Sequence, residues 1–296
     1  MIKKLLKYDF GSIKRIWWLV AIAVPAVTFF GAIALRVFTE ITDFLEKNQA
    51  VENEGVYLLF AVFAMLLFLG SFLIVSSSLI VTTILVHVRF FKNLYTDQGY
   101  LTFTLPVKRS ELLLSKTINS FFWETLHFIL VAVSSILYFV IAPPTGGDGL
   151  LNLGVYREPL GYIWEALTTD GGFFWAAAYI IVLVLLFACI EFFSVSLAEF
   201  CITVGAVIVN KCKLLVGVGI YYAISTAISV VAQIIGTVIP IFMLPTYVEY
   251  MLDSGVVDGN INILSLLVIT AAATAIVAMS LYFATLNMME RKLNLP

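Results

Sequence analysis

Charge is what this chain has least of. Only 12% of its 296 residues are Asp, Glu, Lys or Arg, while 61% are hydrophobic and the mean hydropathy is +1.04. A soluble domain carries about 25% charged and about 45–50% apolar residues. With half that charge, the chain cannot cover itself with a surface suited to water. The same numbers exclude intrinsic disorder, which needs low hydrophobicity. Cysteine is scarce too: Cys189, Cys201 and Cys212 show no C-x-x-C spacing, which speaks against a disulfide scaffold or a zinc site and for small hydrophobes in packed helices. Histidine occurs only at His87 and His127, so metal or acid–base catalysis is poorly supplied. Also absent are the G-x-x-x-x-G-K-[ST] phosphate loop, the H-E-x-x-H metal motif and the G-x-S-x-G nucleophile elbow. Nor does an internal repeat support a duplicated carrier architecture.

What the chain does have is long apolar runs. A helix needs about 20 apolar residues to cross about 30 Å of hydrocarbon. Six stretches qualify: Ile16–Phe38, Val56–Val86, Thr117–Ala142, Phe173–Val209, Leu214–Leu244 and Ile261–Met289. The second and fourth exceed the bilayer thickness and are expected to tilt or project beyond it. The expected fold class is therefore an all-α integral membrane protein with six transmembrane helices. Residues 16–289 form its single transmembrane domain, between an N-terminal helix (1–15) and a tail (290–296). Ala32-Ile33-Ala34 resembles a signal cleavage site, but the apolar run before it outlasts the usual 7–15 residues or so. The first helix is read as retained.

Six spans put both termini on one side, and the basic residues say which. Lys3, Lys4, Lys7, Lys14, Arg15, Arg89, Lys92, Lys108, Arg109, Lys116, Lys211, Lys213, Arg291 and Lys292 flank one set of span ends. Only Arg36, Lys47 and Arg157 flank the other set, beside twelve acids from Glu40 to Asp258. The positive-inside rule makes the first set, and both termini, cytoplasmic. The net charge of −2 is thus the sum of two opposed faces, and predicts no nucleic-acid partner. Within residues 1–15, Ile2, Leu5, Leu6, Phe10 and Ile13 recur at helical spacing among four lysines. That pattern predicts a basic amphipathic helix on the inner membrane surface, touching lipid. Outside, the connections Thr39–Gly55, Pro143–Gly172 and Pro245–Asn260 are expected as loops. Inside, Lys211–Lys213 is a tight turn, which leaves 87–116 as the one substantial cytoplasmic segment.

After His87 and Val88, that segment reads Arg89-Phe90-Phe91-Lys92-Asn93-Leu94-Tyr95-Thr96-Asp97-Gln98-Gly99-Tyr100. Pro106 breaks any helix, and Ser110 can cap the one that follows. The result is a short amphipathic piece, a turn and a capped helix entering the membrane. Large aromatics beside Arg89 and Lys92 suit either a docking surface or a loop anchored at the membrane interface.

The run GYLTFTLPVKRSELLLSK at 99–116 resembles a segment recurrent in the six-helix permease subunits of bacterial type-2 ATP-binding-cassette exporters. The tail ERKLNL at 290–295 is similar to the ending of many such subunits, and the order of helices agrees along nearly the whole chain. The chain departs from the family pattern where many members have a longer helical hairpin, at the short connection Pro245–Asn260. The resemblance implies a non-catalytic subunit of the bacterial cell membrane that works as a dimer, with a second copy or a related permease. It pairs with a cytoplasmic ATP-binding-cassette subunit, which holds the ATP and magnesium; no cofactor is expected on this chain. Arg89–Tyr100 would carry the coupling helix seated in that ATPase, and antimicrobial or toxic peptides are the family's frequent cargo.

Ionisable groups inside hydrocarbon cost about 2.5–3.5 kcal/mol each on insertion scales, so each needs a reason. Glu124 and His127 share one face of the third span and are expected to bond each other or to meet a wet inner cavity. A Glu-x-x-His pair can ligate iron, but no second copy accompanies it, so no metal is expected. Glu191 and Glu199 lie about 80° apart around the fourth span. Glu191 is expected to be the deeper, and Glu199 to reach inner interfacial water. Gln233 and Pro240 mark a polar spot and a kink in the fifth span. Glu124, His127, Glu191, Glu199 and Gln233 are the candidates for a substrate pathway. The same carboxylates would equally serve an ion-coupled secondary transporter, and a membrane scaffold without transport is the third class.

Overall fold

The computed structural model describes residues 2–48, 54–104, 106–143, 156–168, 171–209 and 211–291, without the side chains of 2, 100, 101 and 235–262. Every regular element among the described residues is a helix: α1 Ile2–Lys47, α2 Glu54–Tyr95, α3 Asp97–Phe103, α4 Arg109–Ile141, α5 Arg157–Thr168, α6 Gly172–Ile208 and α7 Lys213–Arg291. Six segments are long and apolar enough to cross a membrane: Lys3–Lys47, Glu54–Tyr95, Arg109–Ile141, Gly172–Ile208, and Lys213–Ile234 with Ile263–Arg291 inside α7. Among the described residues, the expected all-helical architecture and six helices long and apolar enough to span a membrane are therefore present.

The helix ends differ from the expected ones, mostly by running on. α1 is one helix of 46 residues, so the basic segment 1–15 continues into the span without a break. At its other end α1 passes Phe38 and stops at Lys47. Four-residue ion pairs, Arg36–Glu40 at 3.4 Å and Asp43–Lys47 at 2.7 Å, support the added turns. α2 likewise continues past Val86 to Tyr95, because no breaker intervenes before Gly99. α4 starts at Arg109, which places Ser110 inside the first turn rather than at the cap. The connection Pro143–Gly172 contains a helix, α5. α7 is helical throughout, including Pro245–Asn260, where a loop was expected. A straight helix of 79 residues would be about 118 Å long. Leu214 and Met289, near its two ends, nevertheless pack on one apolar cluster, so the chain reverses between its two apolar segments. Most of the tail, 292–296, lies outside the described residues.

Contacts divide the chain into two compact units. One comprises Leu6–Val86 and Phe122–Ala166. Here Ile13, Val86 and Trp123 form one cluster, and Ala32, Tyr138 and Ile141 with Phe68 form another. Residue numbers rise together along α1 and α4 and fall along α2, so α2 runs antiparallel to its two neighbours. Ring contacts tie the first cluster, with Phe10–Phe122 centroids 4.8 Å apart and Trp17–Trp123 at 5.2 Å. In the second, Tyr138 Oη lies 3.1 Å from Ser71 Oγ; Ser71 spends its one proton on the Phe68 carbonyl, so Tyr138 is the donor.

The other unit comprises Met1–Leu5, His87–Phe121 and Leu167–Pro296. α6 and α7 form its hairpin, joined through Lys211 and Cys212, as the expected tight turn. Cys212 takes φ 58°, the left-handed region that favours glycine. Close approach explains two glycines beside this turn. A Cβ on Gly205 would stand 2.5 Å from the Gly217 nitrogen, and one on Gly217 would stand 2.9 Å from the Ile202 Cα. Small residues at such crossings let two backbones pack directly.

Candidate functional site

The candidate segment expected on the cytoplasmic side lies in the second unit. The last turns of α2 carry Arg89–Tyr95, so this part is an extension of the span rather than a separate short helix. Gly99 N donates to the Thr96 carbonyl at 2.7 Å, and a Cβ on Gly99 would sit 2.4 Å from the Leu94 carbonyl oxygen. Glycine thus lets α3 turn tightly off the end of α2.

This turn directs the aromatics inward. Phe90, Leu94 and Tyr95 are buried with Leu112, Leu113, Ile202 and Met289. A core, not a docking face, uses three of the residues proposed for partner contact. The sequence could not show this, because amphipathic spacing does not say what covers the apolar side. Lys92, Asp97 and Gln98 remain exposed, while Arg89, Phe91, Asn93 and Thr96 are half-buried. The Tyr100 side chain lies outside the described residues. Phe91 and Tyr95 also line a groove of about 670 Å3 with Cys212, Lys213, Leu214, Leu215 and Val218.

Arg109, which the sequence offered only as one more inner charge, closes the far side of this cluster. It donates to the Met289 carbonyl and, at 3.0 Å, to that of Glu290, capping the end of α7. Its guanidinium also lies 5.6 Å from the Phe103 ring centroid, a cation–π contact. A cation satisfies the orphan carbonyls at a helix C-terminus and opposes its negative pole.

At the centre of the unit stands Glu199, 1% exposed. It does not reach interfacial water as expected: residues 195–199 and 201–203 of α6 are all buried. Glu191 is half-buried, and Gln233 is exposed. Thr117 Oγ1 lies 2.7 Å from Glu199 Oε2, and Ser120 Oγ lies 3.4 Å from Oε1. A hydroxyl holds one proton. Thr117 Oγ1 also lies 3.1 Å from the Leu113 carbonyl, which only accepts. With Glu199 ionised, Thr117 donates to the carboxylate; with Glu199 protonated, the acid donates to Thr117, which then donates to Leu113. The pocket therefore accommodates both charge states by reversing one hydroxyl. A second chain supports the same turn of helix. Thr203 Oγ1 donates to the Glu199 carbonyl at 2.7 Å, so Tyr95 Oη must donate to Thr203, also at 2.7 Å. Thr117, Ser120 and Thr203 were missed in the sequence, since hydroxyls in helices carry no periodic signal.

In the first unit, His127 is 0% exposed and bonds Ser78 of α2 through Nε2 at 3.0 Å. Glu124, one turn away, is also buried. Ser78 in turn lines a cavity of about 340 Å3 between α1 and α2, walled by Leu19, Val24, Val27, Val75 and Val81. The structure brings Glu124 and His127 onto one helix face and Glu199 into a hydroxyl cage, each within its own unit. Among the described residues no group of three or more His, Cys, Asp or Glu is placed to hold a metal ion. These sites can bind, hold a proton or exchange hydrogen bonds. Compared with protein-family models, with curated proteins and with solved structures, this chain finds no match.

Proposed function

We propose that the protein is the membrane-spanning permease subunit of an ATP-driven exporter, acting as a dimer beside a separate ATP-binding-cassette subunit in a bacterial cell membrane. Its termini are cytoplasmic, its cargo amphipathic or cationic peptides, and it hydrolyses no ATP itself. The observation that carries this reading is the resemblance of residues 99–116 to the inner segment of type-2 permeases. Six apolar helices, with the seven-residue α3 between the second and third of them, are compatible with it. Exposure narrows the proposed coupling contact to Lys92, Asp97 and Gln98, with Phe91 beside them. The test is purification of the full chain from its host in mild detergent. An ATPase subunit is expected to co-purify, and Lys92→Glu with Asp97→Lys to release it while the chain stays monodisperse. A preparation with no ATPase, and transport that runs without ATP, would defeat the proposal.

One observation favours a second reading, an ion-coupled carrier: Glu199 is caged by hydroxyls that accept either of its charge states. In proteoliposomes that carrier loses transport when an ionophore dissipates the gradient, and Glu199→Gln abolishes it. Under the first reading transport follows ATP and survives the ionophore. A chain inert under both conditions is a scaffold.

A further inference from the structure

α5 has no buried residue, although it is strongly two-faced. Leu160, Ile163, Trp164 and Leu167 fall at the i, i+3, i+4, i+7 spacing of one helical stripe. Leu160, Ile163 and Trp164 are 60%, 55% and 70% exposed. The opposite stripe is Glu158, Gly161, Tyr162 and Glu165. Two observations fix the level at which this helix lies. Tyr156, immediately before it, donates its hydroxyl to the Phe139 carbonyl in the last turn of α4. On the approach to that turn, α4 exposes Val133, Ile136 and Phe139, the apolar surface of a helix long enough to cross a membrane. At its other end, α5 is joined by residues 169–171 to α6, whose first turn carries exposed Phe173 and Phe174. α5 thus begins at a residue bonded to the end of the apolar helix α4.

We infer that α5 lies in the bilayer surface at which α4 ends, its Leu160/Ile163/Trp164/Leu167 stripe buried among lipid acyl chains and its glutamates turned to water. The exposed apolar stripe follows directly on Tyr156, which is bonded to the end of the apolar helix α4, and Trp is the side chain best suited to the headgroup level. Charge complementarity selects the lipid. Arg157 against Glu158 and Glu165 gives α5 no cationic face for anionic headgroups, so apolar burial in neutral lipid holds it. This placement depends only on the chain crossing a membrane, not on what it transports.

The test labels single cysteines with a nitroxide in the full chain, in a C189A/C212S background that keeps the buried Cys201. The protein is reconstituted at high lipid-to-protein ratio in phosphatidylcholine vesicles. Oxygen collisions should dominate at 160, 163, 164 and 167, and collisions with a water-soluble nickel chelate at 158, 162 and 165, with a period of about 3.6 residues. Ile163→Glu should turn a label at 160 from oxygen-accessible to nickel-accessible. Equal nickel access on both faces would mean a helix free in water. Protection from both reagents would mean a second copy or another protein covers it. A pattern that appears only when phosphatidylglycerol is added would mean that charge, not apolar burial, holds it. Any of these overturns the inference.

Discussion

Alanine at Gly217 and at Gly219 should have opposite effects, although the two positions lie two residues apart on α7. A Cβ at 217 would meet the Ile202 Cα at 2.9 Å, the Cys201 carbonyl oxygen at 3.1 Å and the Ile202 nitrogen at 3.4 Å. All three are backbone atoms of α6, so no side-chain rotation relieves the contact. Carbon atoms prefer about 3.5–4.0 Å, so the two helices must separate by about 0.5–1 Å, which forfeits a quarter to a half of each contact along the crossing. Overpacking of this kind costs about 1–3 kcal/mol. At Gly219 a Cβ meets nothing within 4 Å, and alanine there should gain up to about 0.5–1 kcal/mol of helix stability. The two variants should differ by about 1.5–4 kcal/mol. Unfolding of the purified chain by titration with sodium dodecyl sulfate, followed by far-ultraviolet circular dichroism, reads this difference. Equal midpoints would refute the backbone contact between α6 and α7.

Cys212 is the exposed cysteine, beside the turn expected on the cytoplasmic side. A membrane-impermeant maleimide should label it in inverted vesicles and not in intact cells; the opposite result would reverse the orientation. Arg109→Ala should uncap α7 at a cost of about 1 kcal/mol and speed amide exchange in its last two turns. Unchanged exchange would deny Arg109 its capping role.

How much was legible can be judged from particular residues. The six spans were, because lipid demands long apolar runs and few charges break them. Helix ends were not, since nothing in 39–47 or 87–95 stops a helix and polar residues do not by themselves end one. α5 was overlooked behind the Gly/Pro-rich start of its connection. That Glu199 is enclosed and Glu191 only half-buried was not legible, because α6 is apolar all round and a helix without a polar face gives no clue to which side is enclosed. Aromatics at Phe90 and Tyr95 were read as suited to a docking surface or a membrane-anchored loop, whereas they are buried in a core.

What the sequence alone determined is the solvent: a composition this poor in charge requires lipid, and lipid requires helices whose backbone polar groups are satisfied internally. Its sorted lysines and arginines also carry the predicted orientation. Tertiary structure alone decided which residues of those helices are enclosed. It turned Phe90, Leu94 and Tyr95 inward, caged Glu199 between Thr117 and Ser120, and pressed Gly205 against Gly217. The physical reason is that such contacts join residues of different helices, which meet only when those helices pack, whereas hydropathy and helical period report on each helix by itself.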